Sequence, residues 1–474
     1  MINLTTHYID GRFAESHGRE VMDSINPTTG EVLAKVTLGD EEDARAAIAA
    51  AKRAFASYGK TSKTERIALL NRLHEAVLAR TDKLTSIWTQ EYGGVTRFAA
   101  LIVESGAVFY AAAAKALEDD VPLEKSWGQT NVTWGPIGVT GLITAWNANS
   151  LFICLKTASA LAAGCTVVLK PSEMSALQTR VMIEAFDAAG VPPGVINVVN
   201  GLGATVGAEM VRNPDVAKIS FTGSGPVGQS IMRDGAATMK RVTLELGGKS
   251  PNILMDDANL AVAIPTSLWI AFLNSGQACA AGTRLLVPRK NLEAVKAAIR
   301  QAMGEFVVGD PADPSTAVGP MVSQKQWDRV QSYIRKGIEE GAEVLAGGPG
   351  RPDGFPDGFF VKPTVFLGTN DMAIAREEIF GPVLTVIPYD DDADAIRLAN
   401  DSDYGLHAYV NGTDRARARR LAEQIEAGRV VINGMADDPQ APWGGFKHSG
   451  VGREYGAFGI EAFLEPRAIL EVAG

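Results

Sequence analysis

From residue 137 to residue 246 the chain alternates short runs rich in Val and Ile with helical stretches. No other feature limits the fold as much. The runs at 137–144, 165–170, 195–199, 216–221 and 242–246 read as strands, and those at 150–163, 175–189, 204–212 and 226–234 as helices. Strands this apolar are buried on both faces, which implies a parallel sheet covered by helices on each side. Ligands of such sheets bind at the carboxyl ends of the strands. Leu246-Gly247-Gly248 marks a boundary, and a second α/β series follows. Its strands are expected at 252–254, 284–287, 383–389, 408–410 and 430–432, and its helices at 260–272, 292–306, 324–340, 393–400 and 415–425. The fold class is therefore α/β with two doubly wound sheets.

Ahead of this core, residues 8–13 read as a strand with an Asp-Gly turn, and Ile25-Asn26-Pro27 as a further turn. Helices are expected over 40–57, with Asp40 as N-cap, and over 62–90 and 95–117. Residues 121–136 flank Gly128 with short polar and aromatic runs and suggest a projecting hairpin whose edge needs a partner strand.

Composition excludes several functions. The net charge is −10 with no basic run, which disfavours nucleic acid and anionic membrane surfaces as partners. No apolar run approaches the ~18 residues of a membrane span, and no secretory signal is visible. The three cysteines, Cys154, Cys165 and Cys279, form no disulfide framework and fit a reducing, cytoplasmic setting. The five histidines have no metal-ligand spacing, so no metal site is expected.

Several motifs carry chemistry. Cys279 sits among small residues in Asn274-Ser-Gly-Gln-Ala-Cys-Ala-Ala-Gly-Thr-Arg284; Gly276 and Gly282 leave the thiol accessible, as a nucleophile requires, although a free Cys also serves as apolar filler. Glu245 lies between two leucines before a double glycine. Poor solvation there raises its pKa toward that of a general base, unless a lysine pairs with it. Asn147 follows the strand at 137–144 and can either hold an oxyanion or cap the next helix. Thr222-Gly223-Ser224-Gly225-Pro226-Val227-Gly228 is a Gly-rich turn opening a helix, suited to a pyrophosphate although it is not GxGxxG. Lys170-Pro171-Ser172-Glu173 ends a strand; its acid can take ribose hydroxyls and repel a 2′-phosphate, or simply pair with Lys170.

Taken in order, Trp146-Asn147, Lys170-Pro-Ser-Glu173, Phe221-Thr-Gly-Ser224, Leu244-Glu-Leu-Gly-Gly-Lys249, Gly276-Gln-Ala-Cys279, Glu377-Glu-Ile-Phe-Gly-Pro382, Trp443-Gly-Gly-Phe-Lys447 and Gly452-Arg-Glu454 give the chain a clear resemblance to the NAD(P)-dependent aldehyde dehydrogenase superfamily, from about residue 8 to about residue 470. The resemblance implies two Rossmann-like domains, a cofactor-binding one (1–117 and 137–247) and a catalytic one (248–448). It also implies a small β oligomerisation element (118–136 and 449–474) in a homodimer or homotetramer. It makes Cys279 the nucleophile, Glu245 the base and Asn147, with the Cys279 N–H, the oxyanion donors. Lys156 and Glu454 match proton-relay positions. NAD, with NADP as the other option, would meet Trp146, Lys170, Ser172, Glu173, Gly203, Gly207, Phe221, Thr222, Gly223, Ser224, Leu246, Gly247, Glu378 and Phe380.

The chain departs from the resemblance in one loop. The usual Pro-Trp-Asn-Phe/Tyr-Pro reads Ala145-Trp146-Asn147-Ala148-Asn149. Without the prolines the loop should be less rigid, and Ala148 should widen the substrate entrance. A tunnel lined by Ala148, Phe152, Leu155, Ala278, Ala280 and Trp443, with Phe109 and Met435 nearby, implies a bulky or long apolar aldehyde. The presence of Glu245 favours water over coenzyme A as acyl acceptor. Retention of nucleophile, base and oxyanion donor argues against a non-enzymatic scaffold.

Overall fold

The computed structural model describes residues 2–470. Its first sheet has eight strands in the order Gly450–Val451, Arg241–Glu245, Val216–Thr222, Val139–Ile143, Thr166–Lys170, Ile196–Val198, Thr6–Ile9, Arg12–Glu15. The five central strands are parallel, and the outer ones antiparallel. Chain order reverses between Val139–Ile143 and Val216–Thr222, so a crevice opens beyond their carboxyl ends. Side chains alternate between the two faces: Val167 and Leu169 join one core with the helices Lys63–Leu78, Thr96–Asp119 and Asn149–Ala163, while Val168 joins the core beneath Glu41–Tyr58 and Gly225–Gly235.

The second sheet has seven strands in the order Glu343–Ala346, Thr364–Leu367, Val383–Tyr389, Arg284–Pro288, Pro251–Leu254, His407–Asn411, Arg429–Ile432, of which only the first is antiparallel. It too is covered on both faces, with Leu285 and Val287 in one core and Leu286 in another. The strand Leu464–Leu470 pairs with Thr130–Pro136, which pairs with Glu124–Trp127. The hairpin thus finds its partner strand in the same chain.

The structure corrects several expectations. Residues 62–90 are two helices, Lys63–Leu78 and Thr81–Tyr92. The break falls where Thr81 Oγ1 donates to the Leu78 carbonyl and Arg80 leaves helical geometry. Both helices pack on Thr96–Asp119 and Ala176–Ala188, and Lys63–Leu78 packs on Asn149–Ala163 as well. Strands Glu343–Ala346 and Thr364–Leu367, short and separated by the Gly- and Pro-rich residues 347–363, escaped the periodic reading, as did helix Gly456–Glu461 and the sheet of Ile2–Leu4, Val32–Thr37 and Val21–Ile25. The segment 449–470 does not act as one unit. Gly450–Val451 pairs with Leu244-Glu245, Gly456–Glu461 packs on the helices Thr96–Asp119 and Asn149–Ala163, and only Leu464–Leu470 joins the hairpin. Within the oligomerisation element a last strand was expected at 466–472, of which residues 471 and 472 lie outside the described residues. Among the described residues the helix Thr96–Asp119 is long and apolar enough to cross a membrane by length and composition, although Arg97, Glu104 and Lys115 interrupt its apolar run. Its buried face packs against Lys63–Leu78 and Asn149–Ala163, which accounts for its apolar residues.

Candidate active site

The carboxyl edge of the first sheet meets the amino edge of the second. Glu245 ends a strand of the first, and Gly247-Gly248 leads directly into Pro251–Leu254 of the second. Cys279 precedes the strand Arg284–Pro288, and Glu378 and Phe380 precede Val383–Tyr389. Glycines allow these segments to touch. A Cβ on Gly248 would lie 2.6 Å from the Cys279 carbonyl oxygen, and one on Gly247 would run into the Glu378 carboxylate. Glu378 Oε1 accepts from the Gly248 N–H at 3.0 Å.

The loop before Cys279 is strained and braced. Asn274, Ser275 and Gly276 all have positive φ, at 54°, 57° and 73°. Asn274 Nδ2 donates to the carbonyls of Asn147 (2.9 Å) and Gln277 (3.3 Å), and Ser275 Oγ accepts from the Gly319 N–H. Gln277 is fully buried; it donates to Tyr92 Oη at 3.1 Å and accepts from the Val322 N–H at 3.0 Å. Cys279 itself is half-buried. Its thiol is pushed up to about 12, first by burial and then by the charges of Glu378 and Glu245.

Asn147 is buried, and its Nδ2 donates to the Gln277 carbonyl at 3.0 Å, two residues from the thiol. Among the described residues the second N–H of that amide has no acceptor, so it could donate to a bound oxygen. Asn147 does not cap the following helix, whose N-cap is Ala148 without a side-chain cap. Glu245 is also buried, and among the described residues neither carboxylate oxygen has a hydrogen-bond partner. Burial first, then the Glu454 charge, holds its pKa well above the usual carboxylate range against the opposing charges of Lys156 and Arg453. The lysine pairs elsewhere: Lys156 Nζ donates to Glu454 Oε1 at 2.6 Å and to Ser220 Oγ at 2.9 Å.

The residues expected at the cofactor gather along the crevice. Lys170 pairs with Glu173 at 3.1 Å, and Ser172 Oγ caps the turn by accepting from the Met174 N–H. Gly203 and Gly207 bound one turn of π-helix, and a Cβ on Gly207 would stand 4.0 Å from Lys170 Cδ. Phe221 packs on Gly223, whose N–H donates to the Glu245 carbonyl; the Thr222 hydroxyl is buried without a partner. Ser224 is exposed at the N-terminus of Gly225–Gly235 with no side-chain cap, and Leu246 packs on Gly228. Trp146 and Phe380 meet edge to face at 5.4 Å, Phe380 with φ of 62°.

Of the tunnel residues, Ala148 and Leu155 form a cluster with Phe109, Leu151 and Tyr455, against which Phe152 and Trp443 pack. Ala278 and Ala280 flank the thiol outside that cluster, and Met435 is exposed. Sequence reasoning missed Tyr455, whose ring lies 4.5 Å from Phe109, and Tyr409, whose hydroxyl donates to the Ala280 carbonyl at 3.0 Å. It also missed Gln277 and Tyr92 as braces. Tyr455 adjoins Glu454, and Gln277 lies inside the nucleophile motif, so both were within reach. Tyr92 and Tyr409 carry no local signal. At the end of the loop Ala145–Asn149, where a proline was expected, Asn149 is fully buried, accepting from Thr144 Oγ1 and donating to Thr179 Oγ1.

The match to known proteins covers nearly all of the chain. The model of the aldehyde dehydrogenase family matches residues 13–469. A 3-succinoylsemialdehyde-pyridine dehydrogenase from a Pseudomonas species is 44% identical over 470 residues, 98% of each chain. A crystal structure of a mutant aldehyde dehydrogenase C from Pseudomonas syringae, in complex with NAD+ and octanal, superposes with a TM-score of 0.97 at 44% identity, covering 98% of this chain and 96% of that one. An aldehyde dehydrogenase from Bartonella henselae gives 0.96 at 37% identity, covering 99% and 100%. With the site's geometry beside them, these matches identify the chain as a member of the aldehyde dehydrogenase family.

Proposed function

We propose that the chain oxidises a long or bulky apolar aldehyde to the carboxylic acid with NAD as hydride acceptor. The observation that carries this reading is the convergence of Cys279, Asn147 and Glu245 on one spot between the two sheets. Cys279 releases its thiol proton to water, and Sγ, as thiolate, adds to the aldehyde carbon. The oxyanion is held by the free N–H of the Asn147 amide and by the Cys279 N–H, in a water-poor site where such donors act strongly. NAD, when bound, supplies the hydride acceptor. Loss of hydride from the thiohemiacetal carbon leaves a thioester on Cys279. Glu245, ionised, takes a proton from water, which attacks the thioester; the C–S bond breaks and the acid leaves. Glu454 and Lys156 behind Glu245 carry its proton away.

The residues present fit a dinucleotide. Cβ atoms on Gly203 and Gly225 would meet only open space, and the helix Gly225–Gly235 presents free N–H groups and the Ser224 hydroxyl to a pyrophosphate. Lys170 and Glu173 would hold the adenine ribose, and Trp146 and Phe380 the nicotinamide. The Pseudomonas syringae relative holds NAD+ and octanal, which supports both the cofactor and an apolar aldehyde. In this reading residues 1–117 and 137–247 bind cofactor and 248–448 carry the nucleophile. The sheet of Glu124–Trp127, Thr130–Pro136 and Leu464–Leu470, with an exposed outer strand, joins subunits in a dimer or tetramer.

The test follows NADH formation on a panel of aliphatic and aromatic aldehydes, with NAD against NADP and with and without coenzyme A. Turnover that prefers NAD, needs no coenzyme A and vanishes in Cys279→Ala is expected. Turnover only with coenzyme A would make water the wrong acceptor, and turnover in Cys279→Ala would remove the thioester route.

A further inference from the structure

The loop that carries Asn147 lacks the prolines of the resembling family, yet side-chain hydrogen bonds tether its last residue. Asn149 is fully buried. Thr144 Oγ1 donates to Asn149 Oδ1 at 3.2 Å, Asn149 Nδ2 donates to Thr179 Oγ1 at 3.1 Å, and Thr179 Oγ1 donates to the Ser175 carbonyl at 2.8 Å. Each hydroxyl proton is used once, so the chain of bonds has a single direction. Turning the Asn149 amide over would face its oxygen with a Thr179 oxygen whose proton is already committed, and its NH2 with a Thr144 hydroxyl that had lost its acceptor. The orientation is therefore fixed.

The ends of this chain of bonds lie on two parts of the site. Thr144 closes the strand Val139–Ile143, and its N–H donates to the Lys170 carbonyl at 3.1 Å. Ser175 ends the turn Glu173–Ser175, which begins with the residue read here as selecting the ribose. Between Thr144 and Asn149 runs the short turn bearing Trp146 and Asn147, whose amide must meet the Gln277 carbonyl and leave one N–H for the oxyanion.

Resting on the function proposed above, we infer that Asn149 is a positioning residue. Through the Thr144–Asn149–Thr179 bonds it holds the Asn147 amide in register with the nucleophile loop, doing with hydrogen bonds what proline does by fixing φ.

A double-mutant cycle tests this. Asn149→Ala should lower kcat by roughly 10–100-fold, the loss expected when a reacting geometry shifts by about an ångström, while the Kd for NAD from fluorescence titration stays within about twofold. In an Asn147→Ala background the same change should cost less than about twofold, because there is no amide left to position. Thr179→Val, which removes the outer acceptor without touching the turn, should give the same pattern and stands in if Asn149→Ala fails to fold. Additive losses in both cycles, or full activity in Asn149→Ala, would overturn the inference. If Asn147→Ala alone keeps the parent rate, the fault lies in the reading of Asn147 as oxyanion donor and not in the tether.

Discussion

Lys156 Nζ lies 2.6 Å from Glu454 Oε1, and both side chains are buried behind Glu245. The two charges act on Glu245 in opposite senses: Glu454 raises its pKa and Lys156 lowers it. Removing either should therefore move the deacylation limb in a direction that is known beforehand. Lys156→Met leaves an unpaired carboxylate and should shift the rise of kcat to higher pH. Glu454→Gln leaves an unpaired ammonium and should shift it to lower pH. Both should lower the melting temperature, since breaking a buried pair costs about 3–5 kcal/mol. Shifts of the same sign in the two variants would disconnect the pair from Glu245.

Glu245→Gln keeps the shape and removes the base. The first turnover should proceed, giving a burst of NADH of about one equivalent per site. The acyl adduct should then persist on Cys279 by mass spectrometry. Absence of a burst would mean that Glu245 is also needed before hydride transfer. In the parent enzyme, because burial raises the Glu245 pKa above the ordinary value, activity should be lost as pH falls through a range higher than a solvated carboxylate would give.

The Cys279 thiol should react slowly with alkylating agents in the free protein. Burial and two nearby carboxylates hold its pKa near 12, so iodoacetamide modification should climb about tenfold per pH unit between pH 7 and pH 10. Cys154 and Cys165 are fully buried and raised by burial as well, so the signal reports on Cys279, with Cys279→Ala as the blank. A plateau below pH 9 would reveal a positive group that lowers the thiol pKa.

The βα alternation of residues 137–246 was legible because buried parallel strands and their helices leave strong periodic signals. Cys279, Glu245 and Asn147, the residues proposed as nucleophile, base and oxyanion donor, were legible because each lies in a motif at the end of a strand or beside a glycine that permits close contact. Glu343–Ala346 was not, since a four-residue antiparallel edge strand has too few alternations to register. Tyr409 was not, because its role depends on the carbonyl of Ala280, 129 residues away in the chain. The tether of the loop around Asn147 was hidden for a related reason. Lost prolines are visible in a sequence, but the partner that compensates, Thr179, lies 30 residues from Asn149.

Glu91 gives a prediction on stability. It is buried, accepts from the Leu177 and Gln178 N–H groups, from Gln178 Nε2 and from Ser24 Oγ, and burial pushes its pKa up to about 7. A carboxyl whose folded pKa exceeds its unfolded value near 4.5 contributes stability fully below pH 4.5 and loses it as pH rises through 7. The loss amounts to roughly 3 kcal/mol at 1.36 kcal/mol per unit. Relative to Glu91→Gln, the parent should therefore lose stability between pH 4.5 and pH 7 in denaturant titrations. A difference that stays constant across that range would place the Glu91 pKa at its ordinary value.

Ala148 decides whether the wall beside the thiol is a tunnel or a packed core. It is buried against Phe109, Leu151, Leu155 and Tyr455, with Phe152 and Trp443 alongside. If the cluster lines a substrate channel, the ring of Ala148→Phe enters space meant for the aldehyde. KM for bulky aldehydes should then rise about tenfold or more, short aldehydes should be spared, and the melting temperature should hardly move. If the cluster is solid, the added ring has nowhere to go, and overpacking should cost about 1–3 kcal/mol with no change in preference. Measuring both the preference between octanal and a short aldehyde and the melting temperature separates the two. A fall in stability with unchanged preference would reject the widened entrance and assign substrate choice to Phe152, Trp443 and the alanines beside Cys279.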